Sequence, residues 1–359
     1  MGEYKMRVLM IGAGRDVRGG VSSVVNGYYD AGLDKLCELT YLPTMEDGSK
    51  LKKLFVAVCA RIRFESLIKK NDILHVHMSA DSSFYRKAVF IRRAYRAGKK
   101  IIIHMHGSTF DLFYEERCNE KQKQNVRKIF AMADVVIALS EDWKTFLGKC
   151  ICAEDKIQVI YNAVNIPEKY AKDYQNQGML FLGILGKRKG TYDLLEVLPE
   201  IFARYPDAHI YFGGDGEREQ AEAVCRQKGI SHNVTFLGWV RGEEKEKFLK
   251  NCSIYVLPTY HEGMPMSILE AMAYGMAIVS TYVGGIPHIV ANDENGILCE
   301  AGNKKQLQDA LERLLEDHSE RERLGKAGAA YIADNFDIKK NIEKIEKIYS
   351  SLLTAVESE

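Results

Sequence analysis

The sequence predicts an α/β protein built from two consecutive doubly wound parallel sheets, and three observations carry that expectation. Short apolar runs alternate with longer amphipathic segments, as they do where parallel strands are joined through helices. The alternation breaks once, at Asn162-Ala163-Val164-Asn165-Ile166-Pro167 and the polar stretch 168–177, and then restarts. The 359 residues are too many for one ordinary core and suit two.

Taken in order, the first half reads as strands at 7–11, 37–42, 72–77, 100–104, 134–139 and 156–161, with helical patterns between them. After the polar stretch, which has the composition of a linker, strands follow at 179–185, 208–212, 234–237, 253–257, 277–281 and 296–299. From Asn303 the chain is helical, over 306–317, 319–336 and 338–353. The expected domains are 1–165 and 166–336, with a C-terminal helix over 337–359. Two sheets of this kind open a cleft at the carboxyl ends of their strands.

The opening stretch RVLMIGAGRDVRGG asks whether this turn holds a dinucleotide. Such a turn needs G-x-G-x-x-G and an acidic residue ending the second strand. Gly12 and Gly14 fit, but the third position is Val17 and the second strand ends in Leu42-Pro43-Thr44. The spacing argues against an oxidoreductase. Gly19-Gly20 falls where the first helix begins, so its N–H groups can face a phosphate with no side chain in the way.

Composition narrows the class further. No stretch approaches the roughly 20 apolar residues of a membrane span, and the start MGEYKMR lacks the character of a signal peptide. A cytoplasmic protein is expected. The eight cysteines form no C-x-x-C pair and read as reduced thiols. The net charge of +1 conceals an asymmetry: residues 50–100 hold fourteen Lys and Arg against Glu65, Asp72 and Asp81, a local +11, so the remainder carries −10. The segments 51–70 and 85–100 within it have a helical apolar rhythm with basic residues alongside. Each can be an amphipathic helix packed on the sheet with a solvated outer face. Together they also suggest attraction to an anionic lipid surface, which would make the protein peripheral on the inner face of a membrane, or to a phosphorylated acceptor. The aromatics among them are too few and too core-like to favour nucleic acid.

The most informative stretch is VLPTYHEGMPMSILEAMAYGMAIVSTYVGGIPHIV, 256–290. A strand ends near Pro258, a loop carries Glu262, and a helix starts close to Ser267 with Glu270 in its first turn. Gly263-Met264-Pro265 can turn sharply and expose N–H groups at the positive end of that helix, a geometry that binds a diphosphate without a metal. Ser267 and Glu270 can equally form a capping box, and Glu262 can be a solvated loop carboxylate. There is no D-x-D pair in a metal-binding context, so no catalytic metal is expected. His75, His77 and His104 sit at strand ends as candidate hydrogen-bonded core histidines. His106 differs because Gly107 follows it on a loop.

This stretch resembles the signature of the retaining glycosyltransferases of family 4, which have the GT-B fold: two Rossmann-like domains facing across a cleft, with a C-terminal helix crossing back to the first. Two glutamates separated by seven residues are followed by Gly-Gly-Ile-Pro. Gly19-Gly20, His77, His106-Gly107, the segments 134–140 and 159–165, FLGILGKRKGTYDLL, FGGDGE and VTFLGWV resemble further family segments in order. The resemblance implies a sugar transferase of the kind that builds bacterial cell-surface polysaccharide. It would move a hexosyl group with retention from a nucleotide-diphosphate sugar, a uridine diphosphate sugar being expected, to a glycan or lipid-linked saccharide, without a cofactor. The N-terminal domain would bind the acceptor and the C-terminal domain the donor.

The same resemblance implies the roles. Glu270 would hold the ribose hydroxyls; the amides of Gly263, Met264, Pro265 and Ser267 as a segment, with Arg188 and Lys189, the diphosphate; Val240, beside Trp239, the base. Gly20 would meet a donor phosphate. Glu262 and His106 would contact the transferred sugar as catalytic groups. Two positions depart from the family pattern. Ile184 stands where an arginine usually follows Gly183, a charge that Arg188 or Lys187 would supply unless both belong to an exposed basic turn, and His288 stands where a glutamate tends to follow Gly-Gly-Ile-Pro. A nucleotide-sugar epimerase on the same frame and a non-catalytic nucleotide-sugar-binding subunit are the alternative readings.

Overall fold

The computed structural model describes residues 5–106, 109–168 and 171–354. The chain forms two compact units, 1–163 with 338–359 and 164–337. Gly107 lies outside the described residues.

Unit 1 holds one fully parallel sheet of β1 (Arg7–Gly12), β2 (Glu38–Pro43), β3 (Ile73–Met78), β4 (Lys100–Met105), β5 (Val135–Ala138) and β6 (Ile157–Val159). Unit 2 repeats the plan with β7 (Gly178–Leu182), β8 (His209–Gly213), β9 (Val234–Gly238), β10 (Ile254–Val256), β11 (Ala277–Thr281) and β12 (Ile297–Cys299). The strands are short and apolar throughout, and most of their residues are buried because helices cover both faces.

Strand order decides where ligands can bind. It is β2-β1-β3-β4-β5-β6 in unit 1 and β12-β11-β10-β7-β8-β9 in unit 2. Connections leave in opposite directions at β1/β3 and at β7/β10. Neighbouring loops diverge there and leave a crevice at the strands' carboxyl ends. The loops that follow β7 and β10 carry Lys189 and Glu262; the turn after β1 carries Gly19-Gly20.

The last helix, Ile338–Thr354, belongs to unit 1. Ile342, Ile345 and Tyr349 are buried, Asn341 Nδ2 donates to Tyr161 O at 2.9 Å, and Ile338 Cδ1 occupies the space a Cβ on Gly27 would need. None of the described helices is long and apolar enough to cross a membrane.

Two expectations need correction. The polar stretch 168–177 is not a free linker, because its described residues are fastened to unit 2. Buried Arg321 donates to Tyr174 O, and Lys172 Nζ donates to Leu249 O at 2.6 Å. Polar composition there serves hydrogen bonds to backbone carbonyls. The helix Lys50–Lys70 does not hide its apolar rhythm in the core either. Ala60, Phe64 and Ile68 are buried, whereas Leu51, Leu54, Phe55, Val58 and Ile62 are exposed. Apolar residues lie on two opposite faces, so the rhythm alone does not say which one packs.

Candidate active site

In unit 2 the loops after β7 and β10 are locked together at the switch point. Gly190 has φ +71, and a Cβ there would lie 1.9 Å from Pro258 O, so the backbones touch with no room for a side chain. Tyr260 N donates to Arg188 O at 2.8 Å, Thr259 Oγ1 donates to the same oxygen at 3.0 Å, and Arg188 Nη1 donates to His261 O at 3.0 Å. The loop after β11 closes on the other side. Gly284, at φ +54, would place a Cβ 1.7 Å from Glu262 O, and Gly285 N donates to Gly263 O at 2.6 Å. The glycines of Gly-Gly-Ile-Pro thus let one backbone lie directly on another and fix the direction of the Glu262 loop.

The result is an ion pair at a set place. Lys189 Nζ donates to Glu262 Oε1, with the side chains 13% and 9% exposed, and Arg188 Nη1 lies 4.0 Å from the same oxygen. Burial, with Arg188 beside it, pushes the Lys189 ammonium down to about 7. It therefore needs a counter-anion to stay charged, and here Glu262 supplies one. Burial also lowers Arg188.

The helix Met266–Ala273 begins directly after this loop. Pro265 is its N-cap and there is no side-chain cap, which corrects the expected capping box: Ser267 is already inside the helix, and Glu270 is its fifth residue, past the first turn. Proline suits this boundary because it has no N–H to leave unsatisfied. It cannot serve as an amide donor, so within 263–267 the donors are the N–H groups of Gly263, Met264, Met266 and Ser267. The helix geometry leaves its first N–H groups without an acceptor in the turn before. Glu270 Oε1 accepts from Lys245 Nζ at 2.7 Å. The sequence reading missed Lys245, which sits between Glu244 and Glu246 in the mixed-charge helix Gly242–Asn251 and carries no local signal. Val240 follows β9 and is buried, its side chain against Gly213. Ile184 is exposed on the loop after β7.

Unit 1 differs. His75, His77 and His104 are buried on adjacent strands, and each brings a ring nitrogen within 4.8 Å of the others, a grouping that could hold a metal ion. His75 Nε2 lies 3.2 Å from His104 Nδ1, His75 Nδ1 lies 2.6 Å from Tyr349 Oη, and His77 Nδ1 lies 2.8 Å from His106 Nε2. Each imidazole–imidazole contact needs one N–H and one lone pair, so a neutral cluster satisfies it. Burial acts the same way, holding His75 and His106 down to about 3 and His77 and His104 well below the usual histidine range. His77 Nε2 and His104 Nε2 are buried with no hydrogen-bond partner. Nearby Lys87 is buried, donates to Ser83 Oγ at 2.7 Å, and is pushed down to about 7 by burial and Arg86. Gly20 opens the helix Gly20–Asp30 after Gly19 at φ +150, and a Cβ on either glycine would meet nothing within 4 Å.

Two parallel sheets of Rossmann type in two units, with a charged turn at the second switch point, define the GT-B class of α/β proteins. Solved structures of that form agree. Sucrose-phosphate synthase from Thermosynechococcus elongatus is 19% identical, with a TM-score of 0.80 over 98% of this chain and 100% of that one. Anabaena HepE, solved in complex with UDP-glucose, is 17% identical, with a TM-score of 0.74 over 98% and 100%. The family of Glycosyl transferases group 1 matches residues 163–331, and Glycosyltransferase Family 4 matches residues 32–167. The chain belongs to the family 4 glycosyltransferases. An uncharacterised glycosyltransferase of Methanocaldococcus jannaschii is 32% identical over 185 residues, and the match spans about half of each protein, 47% of both.

Proposed function

We propose that this protein transfers a hexosyl group, with retention, from a uridine diphosphate sugar to a hydroxyl of a glycan or lipid-linked saccharide, in the assembly of a polysaccharide or glycoconjugate. The observation that carries the reading is the buried Lys189–Glu262 pair, held at the switch point of the second sheet beside the start of an eight-residue helix. The likeness to HepE, a protein solved with UDP-glucose, supports the donor class.

In this reading the donor's diphosphate replaces the Glu262 carboxylate as the partner of Lys189. Arg188 and the N–H groups of Gly263, Met264 and Ser267 complete the grip, and Pro265 sets the turn. Glu262, released, hydrogen-bonds the sugar. Glu270 takes the ribose hydroxyls, and the backbone at Val240 meets the base. In unit 1, His106 and Gly20, after β4 and β1, are assigned to substrate contacts. As the bond from the anomeric carbon to the phosphate oxygen breaks, negative charge grows on that oxygen, and Lys189 and the helix amides stabilise it. The acceptor oxygen bonds the same carbon on the same face, and its proton passes to the departing phosphate. Glu262 is given no nucleophilic role.

The test is release of nucleoside diphosphate from a panel of nucleotide sugars, with and without saccharide acceptors, after a thermal-shift screen has chosen the base. Acceptor-dependent release from a uridine diphosphate sugar is expected. Conversion of the sugar with no acceptor present would favour an epimerase, and stabilisation without turnover of any donor would favour a binding subunit.

A further inference from the structure

The helix Lys50–Lys70 presents an apolar stripe to solvent that the core does not use. Its inward face is Ala60, Phe64 and Ile68, buried among the residues covering the first sheet. On the opposite side Leu51 is 80% exposed, Leu54 63%, Phe55 70%, Val58 50% and Ile62 69%. At about 100° per residue these five fall within about 50° of one line along the helix, over roughly 16 Å. Surfaces of monomeric proteins rarely keep so ordered an apolar row without something to cover it.

The charges say what that is. Lys52, Arg63 and Lys70 run along one flank of the stripe, Lys50 and Arg61 along the other, and Lys69 continues its line; all six residues are exposed. Glu65, the helix's own acidic residue, is tied to Arg93 at 2.7 Å, and Lys52 has a partly exposed partner in Glu46 at 3.3 Å. A second copy of the chain docked on this stripe about a twofold axis would bring rows of cations against rows of cations. A bilayer of anionic phospholipid presents the complement: acyl chains for the leucines, phenylalanine, valine and isoleucine, and phosphates for the rows on either side.

We propose that the helix Lys50–Lys70 lies flat in the interface of an anionic membrane, with Leu51, Leu54, Phe55, Val58 and Ile62 embedded among the acyl chains. The sequence registered the charge and expected attraction to such a surface. The exposed stripe adds insertion, which charge alone does not supply. The inference rests on unit 1 alone and stands apart from the donor reading.

The test is co-sedimentation of the full chain with vesicles of phosphatidylcholine alone and of equal parts phosphatidylcholine and phosphatidylglycerol, at low salt and at about 0.5 M salt, which screens surface charge. Wild type is expected to pellet with the mixed vesicles and about tenfold less with neutral ones or at high salt. The triple variant Phe55→Ser, Val58→Ser, Ile62→Ser should lose about tenfold in binding to mixed vesicles with its charge unchanged. The triple variant Lys52→Gln, Arg63→Gln, Lys70→Gln should lose the preference for anionic lipid. All six side chains are exposed, so circular dichroism and melting temperature should match wild type, and Phe55→Trp should blue-shift on adding mixed vesicles. No pelleting at low salt overturns the proposal, as does wild-type binding by the apolar variant. So does a dimer that the apolar variant dissociates while vesicle binding stays unchanged. Binding of uridine diphosphate is expected to be the same in both triple variants, so failure here leaves the donor reading standing.

Discussion

The two switch points share one topology and have opposite chemistry. At β7/β10 a buried lysine is paired with a carboxylate, three loops are pinned by backbone contacts through Gly190, Gly284 and Gly285, and a helix starts where the loop ends. Beside β1/β3, four histidines are held neutral and two of their ring nitrogens lack partners, while the glycines at the helix start stand in open space. A parallel sheet provides a crevice at each such point, but the side chains at its edge decide whether it meets a polyanion. The second sets a buried cation beside a helix start; the first sets a buried neutral histidine cluster beside the helix start at Gly20.

The largest expected effect breaks the charged site. Lys189→Ala should lower kcat by about 10²–10³, the scale for removing one group that stabilises a growing anion. It should also destabilise the fold by about 3 kcal/mol, because Glu262 is left buried without its partner. Arg188→Ala, at a half-exposed side chain, should cost less than about tenfold. Steady-state kinetics and urea titrations of both variants check this; equal and negligible losses would remove the clamp.

Next comes the glycine contrast. Gly284→Ala forces a Cβ into Glu262 O and should displace the loop, cutting activity by more than about tenfold and stability by about 1–3 kcal/mol. Gly20→Ala meets nothing, so stability should change by less than about 1 kcal/mol. Any rise in KM at Gly20 would then report a substrate group in that space. Melting curves together with KM values separate the two cases.

The histidine cluster makes a pH prediction. Unfolded, these groups take protons near 6.5; folded, burial holds His75 and His106 to about 3 and His77 and His104 well below 6.5. Their contribution to stability is fully present above pH 6.5 and is lost as the pH falls from there toward 3, by up to about 1.4 kcal/mol per pH unit for each histidine. Denaturant midpoints between pH 7 and pH 5 should fall accordingly; a flat profile would mean that the cluster takes protons in the folded state. At the neighbouring pair the effect is small: Glu270→Gln should weaken uridine diphosphate binding by under about threefold and stability by under about 1 kcal/mol, since Lys245 keeps partial solvent access.

Much of this was legible in the chain. All twelve strands were marked by short apolar runs, and their ends shifted by only a few residues, because burial of a parallel sheet on both faces is written directly in composition. The second switch point was legible through Lys189, Glu262 and the glycines around them. Pairings over long separations were not. Lys189 reaches Glu262 and Lys245 reaches Glu270 across folded loops, and only the assembled sheet specifies those distances. The start of the helix at Met266 was misplaced because Ser267 offered a plausible cap while proline took the role. The outward stripe at Leu51–Ile62 was hidden because apolar residues on two faces give no single amphipathic direction.

The central claim is that Glu262 holds Lys189 in reserve for a diphosphate, and calorimetric titration of uridine diphosphate tests it most directly. Glu262→Gln removes a competitor, so the nucleotide should bind this variant as tightly as wild type or more tightly. Lys189→Ala should bind it at least about tenfold more weakly. Equal weakening in both variants, or no change in either, would contradict the account.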